Sequence, residues 1–446
     1  MTDKFFDRPL LSAKSDKGGQ DTVLIVSPYL VKGKDYHSSA EDQLSEAIGL
    51  TQAIDLKILD TRIVKIARIS PSLLIGSGAC EEIGHMIEAL KPSVVFVNHN
   101  LSPGQQRNLE KTWKAKVIDR TGLILEIFAD RAQTREGKIQ VELAQLEYVR
   151  SRLVRLWTHL ERQRGGAGFM GGPGERQIEL DRRMIADKII RLKKDLEQVR
   201  KNRELQRKSR ERIPFPIVAI VGYTNAGKST LFNRLTGADV FVEDLLFATL
   251  DPTLRRVKLK NGQTVILSDT VGFIADLPTH LVAAFRATLE QTQFADIILH
   301  VRDIARPDTD AQKENVNAIL QDLGIDVETD ERIIEVFNKI DALKDEDRDD
   351  VMRQASFGDR TIALSALTGE GLEDLLEIIE DHTSRNRQNI TFHIPPSDGE
   401  ALAWLYNKGK ILDRQDAEDY ISLQVDLEPA HIGQFRDRFS YEPVTS

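Results

Sequence analysis

The feature that most constrains this chain is a strand followed by a glycine-rich loop, over Ile217–Leu231. Its first five residues are apolar and mostly β-branched, which predicts a buried parallel strand. Gly222 and then Gly227–Ser229 complete the phosphate-loop pattern. Such glycines allow backbone N–H groups to surround phosphate oxygens, while Lys228 can reach the β- and γ-phosphates and Ser229 can place its hydroxyl on Mg²⁺. The segment therefore predicts an α/β domain that binds a nucleotide.

The bulk composition limits the class of protein. At 446 residues the chain has room for several domains. Its single cysteine, Cys80, excludes an intramolecular disulfide and is interpreted as a packed small residue, which favours a reducing cytoplasm. No apolar run approaches the roughly eighteen residues of a membrane span, and the first residues lack a signal-peptide pattern. We expect a cytoplasmic protein without a membrane span.

The net charge of −9 hides an asymmetry along the chain. Residues 147–212 contain 19 Lys and Arg against 10 Asp and Glu, so this block is basic and the remainder is acidic. A local basic block can contact a phosphate backbone even when the whole protein is anionic.

The N-terminal part alternates strand-like and helix-like segments, which predicts an α/β domain over 21–135 after a flexible tail at 1–20. The expected strands are Thr22–Val26, Lys57–Leu59, Leu73–Ile75, Ser93–Val97 and Lys116–Ile118, and the expected helices are Glu41–Gln52, Cys80–Leu90 and Pro103–Thr112.

Two apolar seams with three- and four-residue steps follow, and they predict a long antiparallel helical hairpin, a coiled coil, over 136–213. A helix over 175–212 would be about 57 Å long. The seams are Leu146, Val149, Leu153, Leu156 and Leu160, and then Ile185, Ile189, Leu192, Leu196 and Val199.

The tip of this hairpin, Gly165–Gly174, has six glycines in ten residues and carries Phe169 and Met170. A pliable tip with an apolar pair suits insertion into folded RNA, where stacking and phosphate contacts matter more than base sequence. A purely structural coiled coil and a phosphate cradle formed by the loop remain the alternatives. The arginines that flank the tip are Arg162, Arg164, Arg176, Arg182 and Arg183.

Three further motifs convert the phosphate loop into a guanine-nucleotide site within a Ras-like domain over 214–385. An apolar strand ends in Asp269, which can hold Mg²⁺ through water, and the N–H of Gly272 can touch the γ-phosphate. Another strand delivers Asn338–Asp341, whose last carboxylate can accept from the N1–H and amine of guanine. The backbone N–H groups of Ser365–Leu367 can meet guanine O6.

A mobile threonine between these motifs can close on Mg²⁺ and the γ-phosphate. Thr249 is the choice and Thr253 the alternative. After Gly272 stands Phe273, which cannot orient a water as a glutamine there would. Slow intrinsic hydrolysis accelerated by a partner is therefore expected, and a polar helper is left open among His280, Arg286, Arg302 and Arg306.

The ordered motifs resemble the translation-factor-related GTPases that carry a hydrophobic residue in place of the catalytic glutamine, and within them the HflX family. The resemblance covers roughly residues 20–385. The upstream segments that carry it are Asn100–Glu110, Val117–Leu125, Thr134–Leu146, Gly165-Gly166 with Gly172–Glu175, and Asp181–Arg183. The chain departs from the family at Phe169-Met170-Gly171, where a Thr-Arg pair is usual, so Phe169 stacking on RNA is hypothesised there instead.

The resemblance implies a GTPase that binds the large (50S) ribosomal subunit, hydrolyses GTP to GDP and phosphate with stimulation by the ribosome, and helps split or rescue stalled ribosomes. The alternative is a GTP-dependent assembly or binding factor in which hydrolysis is only a release step. A monomer is expected. Residues 386–446 predict a small C-terminal α/β appendage, with strands at Ile390–Ile394 and Tyr420–Leu427 and helices at Gly399–Lys408 and Pro429–Phe439.

The expected ligands are GTP or GDP and Mg²⁺, with Lys228, Thr249 and Gly272 in catalysis and Ser229, Thr249 and Asp269 on the metal. The expected nucleotide contacts are Gly222, Tyr223, Thr224, Asn225, Ala226, Gly227, Lys228, Ser229, Thr230, Phe247, Ala248, Thr249, Leu250, Asp251, Asp269, Thr270, Val271, Gly272, Asn338, Lys339, Ile340, Asp341, Ser365, Ala366 and Leu367. The expected contacts with ribosomal RNA are Gly165, Phe169, Met170, Gly174, Arg176, Arg182 and Arg183.

Overall fold

The computed structural model describes residues 21–31, 39–163, 173–210, 215–237, 247, 253–270, 272–274, 292–358, 360–384, 388–427 and 429–444. These residues divide into two compact units, one within 1–258 and 264–372 and the other within 259–263 and 373–446. No helix in the described part of the chain is long and apolar enough to cross a bilayer.

The N-terminal domain is a four-stranded parallel sheet with the strand order β2-β1-β3-β4. Side chains that alternate along β1 enter two different apolar cores, because successive residues of a strand point to opposite faces. Helices therefore cover both faces of the sheet. The elements are β1 Thr22–Leu30, α1 Ala40–Gln52, β2 Lys57–Ile66, α2 Ser77–Leu90, β3 Val94–Val97, α3 Pro103–Trp113, β4 Val117–Asp119 and α4 Arg120–Arg131.

Local sequence explains where two of these helices begin. Ser39 precedes α1 and accepts from the backbone N–H of Asp42, whose carboxylate accepts in return from the N–H of Ser39. Ser102 and Gln105 form the same reciprocal pair before α3. Each capping box satisfies two backbone donors that the first turn of a helix leaves unpaired.

The predicted strand at Leu73–Ile75 is wrong. Ser70 and Leu74 exchange two backbone hydrogen bonds, of 3.0 and 2.9 Å, and close a tight turn between them. Leu74 adopts a φ of +68°, which no regular strand contains. The side chains of Leu74 and Ile75 are nevertheless buried, so their apolar character reports burial in the core and not membership of the sheet.

Two long helices follow the N-terminal domain, α5 Arg135–Gln163 and α6 Pro173–Arg210. They pack through one apolar cluster, and ion pairs cross between them from Lys188 to Glu142 (2.6 Å) and from Lys193 to Glu147 (2.9 Å). The seam positions Leu153, Leu156 and Leu160 have side chains outside the described part. The cluster contains Ile139, Leu143, Leu146, Ile185, Ile189 and Leu192, with Val149, Leu196 and Val199 packed against it.

The middle of α5 is fixed to the N-terminal domain by Asp119, the last residue of β4. Its buried carboxylate accepts from the Tyr148 hydroxyl (2.6 Å), from Arg152 (2.5 Å) and from the backbone of Leu101 and Gly122. Desolvation of the hydroxyl, followed by the nearby Asp119 charge, raises the pKa of Tyr148 strongly. The middle of this long helix is therefore held by a buried polar network.

The third domain is a six-stranded sheet with the order β10-β9-β8-β5-β7-β6, parallel except for the β6–β7 pair. Because β5 lies next to β7 and β8, the carboxyl ends of three strands meet at one edge. The elements are β5 Ile217–Gly222, α7 Lys228–Thr236, β6 Thr253–Lys258, β7 Thr264–Asp269, β8 Ile297–Asp303, α8 Thr309–Asp322, β9 Ile333–Asn338, α9 Asp345–Phe357 and β10 Thr361–Ala363, with a short 3₁₀ helix at Ile340–Ala342.

The second compact unit contains a three-stranded antiparallel sheet with the order β11-β13-β12. Strand β12, which the sequence pattern did not predict, is largely exposed and lies at an edge of that sheet. An apolar cluster that includes Phe392 and Phe435 joins the sheet to two helices. The elements are α10 Leu372–Ser384, β11 Gln388–Ile394, α11 Gly399–Lys408, β12 Lys410–Asp416, β13 Ile421–Leu427 and α12 Pro429–Phe439.

Candidate nucleotide-binding site

The loop between β5 and α7 has a backbone that only glycine allows at two positions. Gly222 has a φ of +151°, and a Cβ there would lie 2.2 Å from the carbonyl oxygen of Val301 on the adjacent strand. Gly227 has a φ of +90°, and a Cβ there would lie 2.2 Å from the side-chain nitrogen of Asn338. The loop is thus packed directly against β8 and against the residue that ends β9.

Lys228 is the first residue of α7, and its side chain is buried within this loop. The ammonium donates a 2.7 Å hydrogen bond to the carbonyl oxygen of Tyr223. Burial lowers the pKa of Lys228 to about 8; the nearby Asp269 opposes this shift and Lys339 adds to it. A nearby anion such as phosphate would strongly favour the charged form of a lysine that is buried in this way.

Ser229 and Asp269 bring a hydroxyl and a carboxylate together beside the loop. Ser229 Oγ donates to Asp269 Oδ2 at 3.0 Å, and Asp269, at the end of β7, is almost fully buried. The next residue, Thr270, donates its hydroxyl to the carbonyl oxygen of Ile220 at 2.6 Å, which joins β7 to β5. Oxygen donors of this kind fit Mg²⁺, a hard cation that keeps several waters and takes few protein ligands.

Asn338 connects the end of β9 to two loops. Its side-chain nitrogen donates to the Ala226 carbonyl oxygen (2.8 Å), and its side-chain oxygen accepts from the N–H of Ala366 (2.9 Å). Ser365 donates its hydroxyl to the exposed carboxylate of Asp341 and accepts from the N–H of Thr368. The phosphate loop, 338–341 and 365–368 therefore form one hydrogen-bonded group.

Phe273 is buried, with 2% of its surface exposed, so its ring does not extend into solvent beside the phosphate loop. Its N–H donates to the Gly222 carbonyl oxygen (3.1 Å), and its carbonyl oxygen accepts from the N–H of Thr224 (2.7 Å). A Cβ on Gly272 would lie 2.7 Å from Thr224 Cγ2 and 3.1 Å from Lys228 Nζ. Residues 272–273 therefore lie against the phosphate loop through backbone contacts.

Comparison with known proteins assigns the whole arrangement to a family. Residues 217–339 match the model described as 50S ribosome-binding GTPase. Residues 41–129 and 131–210 match the GTP-binding GTPase N-terminal and middle-region models, and 350–441 match the HflX C-terminal domain. A GTPase HflX from Magnetococcus marinus is 50% identical over 90% of this chain and 91% of its own length. The chain belongs to the HflX family of GTPases.

Two further HflX relatives agree over most of the chain. The Escherichia coli GTPase HflX is 44% identical over 91% of this chain and 93% of its own length. The Lacrimispora saccharolytica GTPase HflX is 48% identical over 85% of this chain and 87% of its own length. As a member of the HflX family this chain is a GTP hydrolase that binds guanine nucleotides.

Most of the expected nucleotide contacts lie in the hydrogen-bonded group formed by the phosphate loop, residues 338–341 and residues 365–368. Asn225 is exposed with a φ of +61°, Leu367 is exposed, and Ile340 is fully buried. Ala248–Asp251, which include Thr249, and Val271 lie outside the described residues. The expected contacts that the structure describes are Gly222–Thr230, Phe247, Asp269, Thr270, Gly272, Asn338–Asp341 and Ser365–Leu367.

The alternatives that the sequence left open are placed as follows. Thr253 opens β6 and pairs with Asp269 in the antiparallel ladder. Arg302 is buried and ion-pairs with Asp310 (2.6 Å) and Glu335 (3.4 Å), while Arg306 pairs with Asp308 (2.8 Å). His280 and Arg286 lie outside the described residues.

The expected RNA contacts are described in part. Gly165, Phe169 and Met170 lie outside the described residues. Gly174 and Arg176 belong to the first turn of α6. Arg182 and Arg183 are exposed on the same helix, and Arg183 pairs with Glu179 at 2.7 Å.

Sequence reasoning missed Asp303 and the contacts that two expected residues, Lys339 and Phe247, make around the site. Asp303, at the end of β8, binds the Lys339 ammonium at 2.8 Å; its position after an apolar run, at the same sheet edge as Asp269 and Asn338, was a usable signal. Lys339 itself has a φ of +69°. Phe247 packs edge-on against Phe128 of α4, with ring centroids 4.7 Å apart. Nothing local in the sequence indicated that contact.

Proposed function

We propose that this GTPase binds the large (50S) ribosomal subunit, hydrolyses GTP with stimulation by the ribosome, and splits or rescues stalled ribosomes. One observation carries the proposal: a chain of the HflX family joins a nucleotide site to the strongly basic segment 147–212. A basic surface supplies affinity for ribosomal RNA, and the nucleotide supplies timing. Because its proposed partner is the ribosome, the protein is proposed to act in the cytoplasm, as a monomer.

In the proposed site, Lys228 contacts the β- and γ-phosphates, while Ser229, Asp269 and Thr249 provide the Mg²⁺ ligands. Mg²⁺, when bound, neutralises charge on the phosphates. The backbone of Gly222–Thr230 surrounds the phosphates, and the N–H of Gly272 faces the γ-phosphate. Of these assignments, the Ser229–Asp269 contact and the buried Lys228 ammonium are the supporting geometry.

The guanine base is recognised by residues 338–341 and 365–367. The exposed Asp341 carboxylate accepts from guanine N1–H and its exocyclic amine, which adenine does not offer in that arrangement. Lys339 covers the ring face, and the backbone of Ser365–Leu367 meets guanine O6. The hydrogen bond from Ser365 to Asp341 supports this assignment because it fixes the carboxylate in one orientation.

Hydrolysis by the isolated protein should be slow because Phe273 has no group that can orient water. Its backbone contacts with Gly222 and Thr224 keep it beside the phosphate loop. A group supplied by the ribosome then completes the site. The large subunit is therefore expected to increase the rate of GTP hydrolysis.

The arm is proposed to be an antiparallel hairpin formed by α5 and α6, whose Gly165–Gly174 tip enters folded ribosomal RNA. Phe169 and Met170 would stack or pack there, and Arg176, Arg182 and Arg183 would contact phosphates. The Lys188–Glu142 and Lys193–Glu147 ion pairs support a defined register between the helices.

The deciding experiment measures GTP hydrolysis by the full chain with and without purified 50S subunits. Stimulation that Lys228→Ala abolishes supports the proposal, and GTP-dependent binding without stimulation supports a binding or assembly factor. Sedimentation of assembled ribosomes with GTP then tests splitting. If 70S particles remain intact at every concentration of the protein, splitting is excluded.

A second experiment deletes the tip, residues 165–174. Splitting should be lost while the affinity for GDP is retained, because the tip is separate in sequence from every residue of the nucleotide site. Loss of GDP binding in a folded variant would instead make the tip part of that site.

A further inference from the structure

The phosphate loop is tied to the N-terminal domain through the side chain of Tyr223. Its hydroxyl donates to Glu46 Oε1 at 2.7 Å, and Glu46 belongs to α1, 177 positions earlier in the chain. Both side chains are largely buried. A hydrogen bond to a carboxylate in such surroundings is stronger than one between neutral groups.

Glu46 is itself held in place. Its Oε2 accepts from Arg120 Nη2 at 3.0 Å, and Arg120 donates through Nη1 to Asn98 Oδ1 at 2.8 Å. Asn98 Nδ2 then donates to the carbonyl oxygen of Gln43, which returns the chain of hydrogen bonds to α1. Because both carboxylate oxygens are engaged, Glu46 presents a fixed acceptor to Tyr223.

The backbone of Tyr223 and its two neighbours contacts two residues of the nucleotide site, Lys228 and Phe273. The carbonyl oxygen of Tyr223 accepts from the Lys228 ammonium, and its neighbours Gly222 and Thr224 exchange backbone hydrogen bonds with Phe273. Fixing the Tyr223 side chain therefore restricts the backbone that holds Lys228. A binding loop restricted in this way loses less conformational entropy when it takes up its ligand.

We propose that Glu46 is a positioning residue for the nucleotide site: through the Tyr223 hydroxyl it holds the phosphate loop in its binding conformation and slows release of GDP. The proposal rests on the assignment of 222–229 as the phosphate-binding loop. A second contact between the same domains supports it, since Asp42, one turn before Glu46, lies 3.8 Å from Arg306 after β8.

The test measures dissociation of GDP carrying a fluorescent N-methylanthraniloyl group from the full chain. Tyr223→Phe removes the hydroxyl and leaves the Glu46–Arg120 pair intact, and it should speed release about fivefold, a modest part of what a hydrogen bond to a charged group contributes. Glu46→Ala should have a similar effect, and the double variant should release GDP no faster than the faster single variant. The matched control is Glu41→Ala, an exposed position on α1, which should release GDP at the wild-type rate.

Glu46→Gln separates positioning from charge. Its amide can donate to the Tyr223 oxygen while its carbonyl accepts from Arg120, so GDP release should be slower than in Glu46→Ala, although faster than in the wild type because the bond is no longer charge-assisted. If Glu46→Ala does not fold, Tyr223→Phe and Glu46→Gln decide the question. Wild-type rates in Tyr223→Phe, or single effects that multiply in the double variant, would overturn the role of Glu46. Failure of the wild-type chain to bind the labelled GDP would instead overturn the assignment of the loop.

Discussion

The side-chain amide of Asn338 donates a 2.8 Å hydrogen bond to the carbonyl oxygen of Ala226, and so joins the segment 338–341 to the phosphate loop. The two residues are 112 positions apart, and both are buried. Because the oxygen of the same amide accepts from the N–H of Ala366, one side chain sets the spacing of three loops. In the proposed site, base recognition and phosphate binding are therefore connected through the Asn338 side chain.

Asn338→Ala should weaken GDP binding by about tenfold or more, since it leaves the buried Ala366 N–H and the Ala226 carbonyl without this partner. The loss should appear in titration calorimetry of the full chain with GDP. Asn407→Ala, at an exposed position of α11, is the control and should bind as the wild type does. Equal affinities in the two variants would contradict the connecting role of Asn338.

Asp341→Asn should shift the base preference from guanine toward xanthine. The amide offers a donor where the carboxylate accepts, so GTP should bind about a hundredfold or more weakly while xanthosine triphosphate gains affinity. Competition of the two nucleotides for one labelled nucleotide measures the change. Asp345→Asn, an exposed carboxylate at the start of α9, should retain guanine preference. Unchanged preference in Asp341→Asn would refute the base-reading role.

Gly227→Ala should abolish nucleotide binding and destabilise the domain, because its Cβ would lie 2.2 Å from Asn338 Nδ2. Gly237→Ala is a matched control: that glycine also has a positive φ, of +63°, but nothing lies within 4 Å of its Cβ. The control should cost only about 1 kcal/mol of stability, from backbone strain. Comparing GDP binding and thermal midpoints of the two variants isolates the steric contact. Nucleotide binding by Gly227→Ala at wild-type affinity would show that the loop can relax.

His300, in the middle of β8, should make the GTPase domain sensitive to mild acid. Burial lowers its pKa from 6.5 to about 4; Glu335 opposes the shift, and Arg302, Lys313 and Lys228 add to it. The unfolded chain therefore binds a proton that the folded chain excludes, so stability is complete above pH 6.5 and falls by about 3 kcal/mol as the pH drops to 4.

The measurement is the urea midpoint followed by circular dichroism between pH 7 and pH 4. His300→Asn should flatten this dependence whatever its effect on stability at pH 7. The control His85→Asn, at an exposed position of α2, should keep the full wild-type slope. An unchanged slope in His300→Asn would show that other groups dominate the acid response.

Part of the site could be predicted from the sequence. The order of the phosphate loop, Asp269 and Asn338–Asp341 could be recognised because each motif needs fixed residue types immediately after an apolar strand. The helix Arg120–Arg131 was missed because Leu123–Phe128 are buried on every side, which leaves no 3.6-residue alternation to detect. Leu73–Ile75 was misassigned because a short apolar run reports burial and not hydrogen bonding.

Sequence alone thus determined the chemistry of the nucleotide site, since hydroxyl, carboxylate, ammonium and amide groups are properties of local residues. Only the tertiary structure decided how those groups are held. The link from Tyr223 to Glu46, the ion pair of Lys339 with Asp303 and the packing of Phe247 on Phe128 each join residues that are far apart in the chain. Periodicity describes one element at a time, whereas such contacts depend on how sheets and helices pack around a shared core.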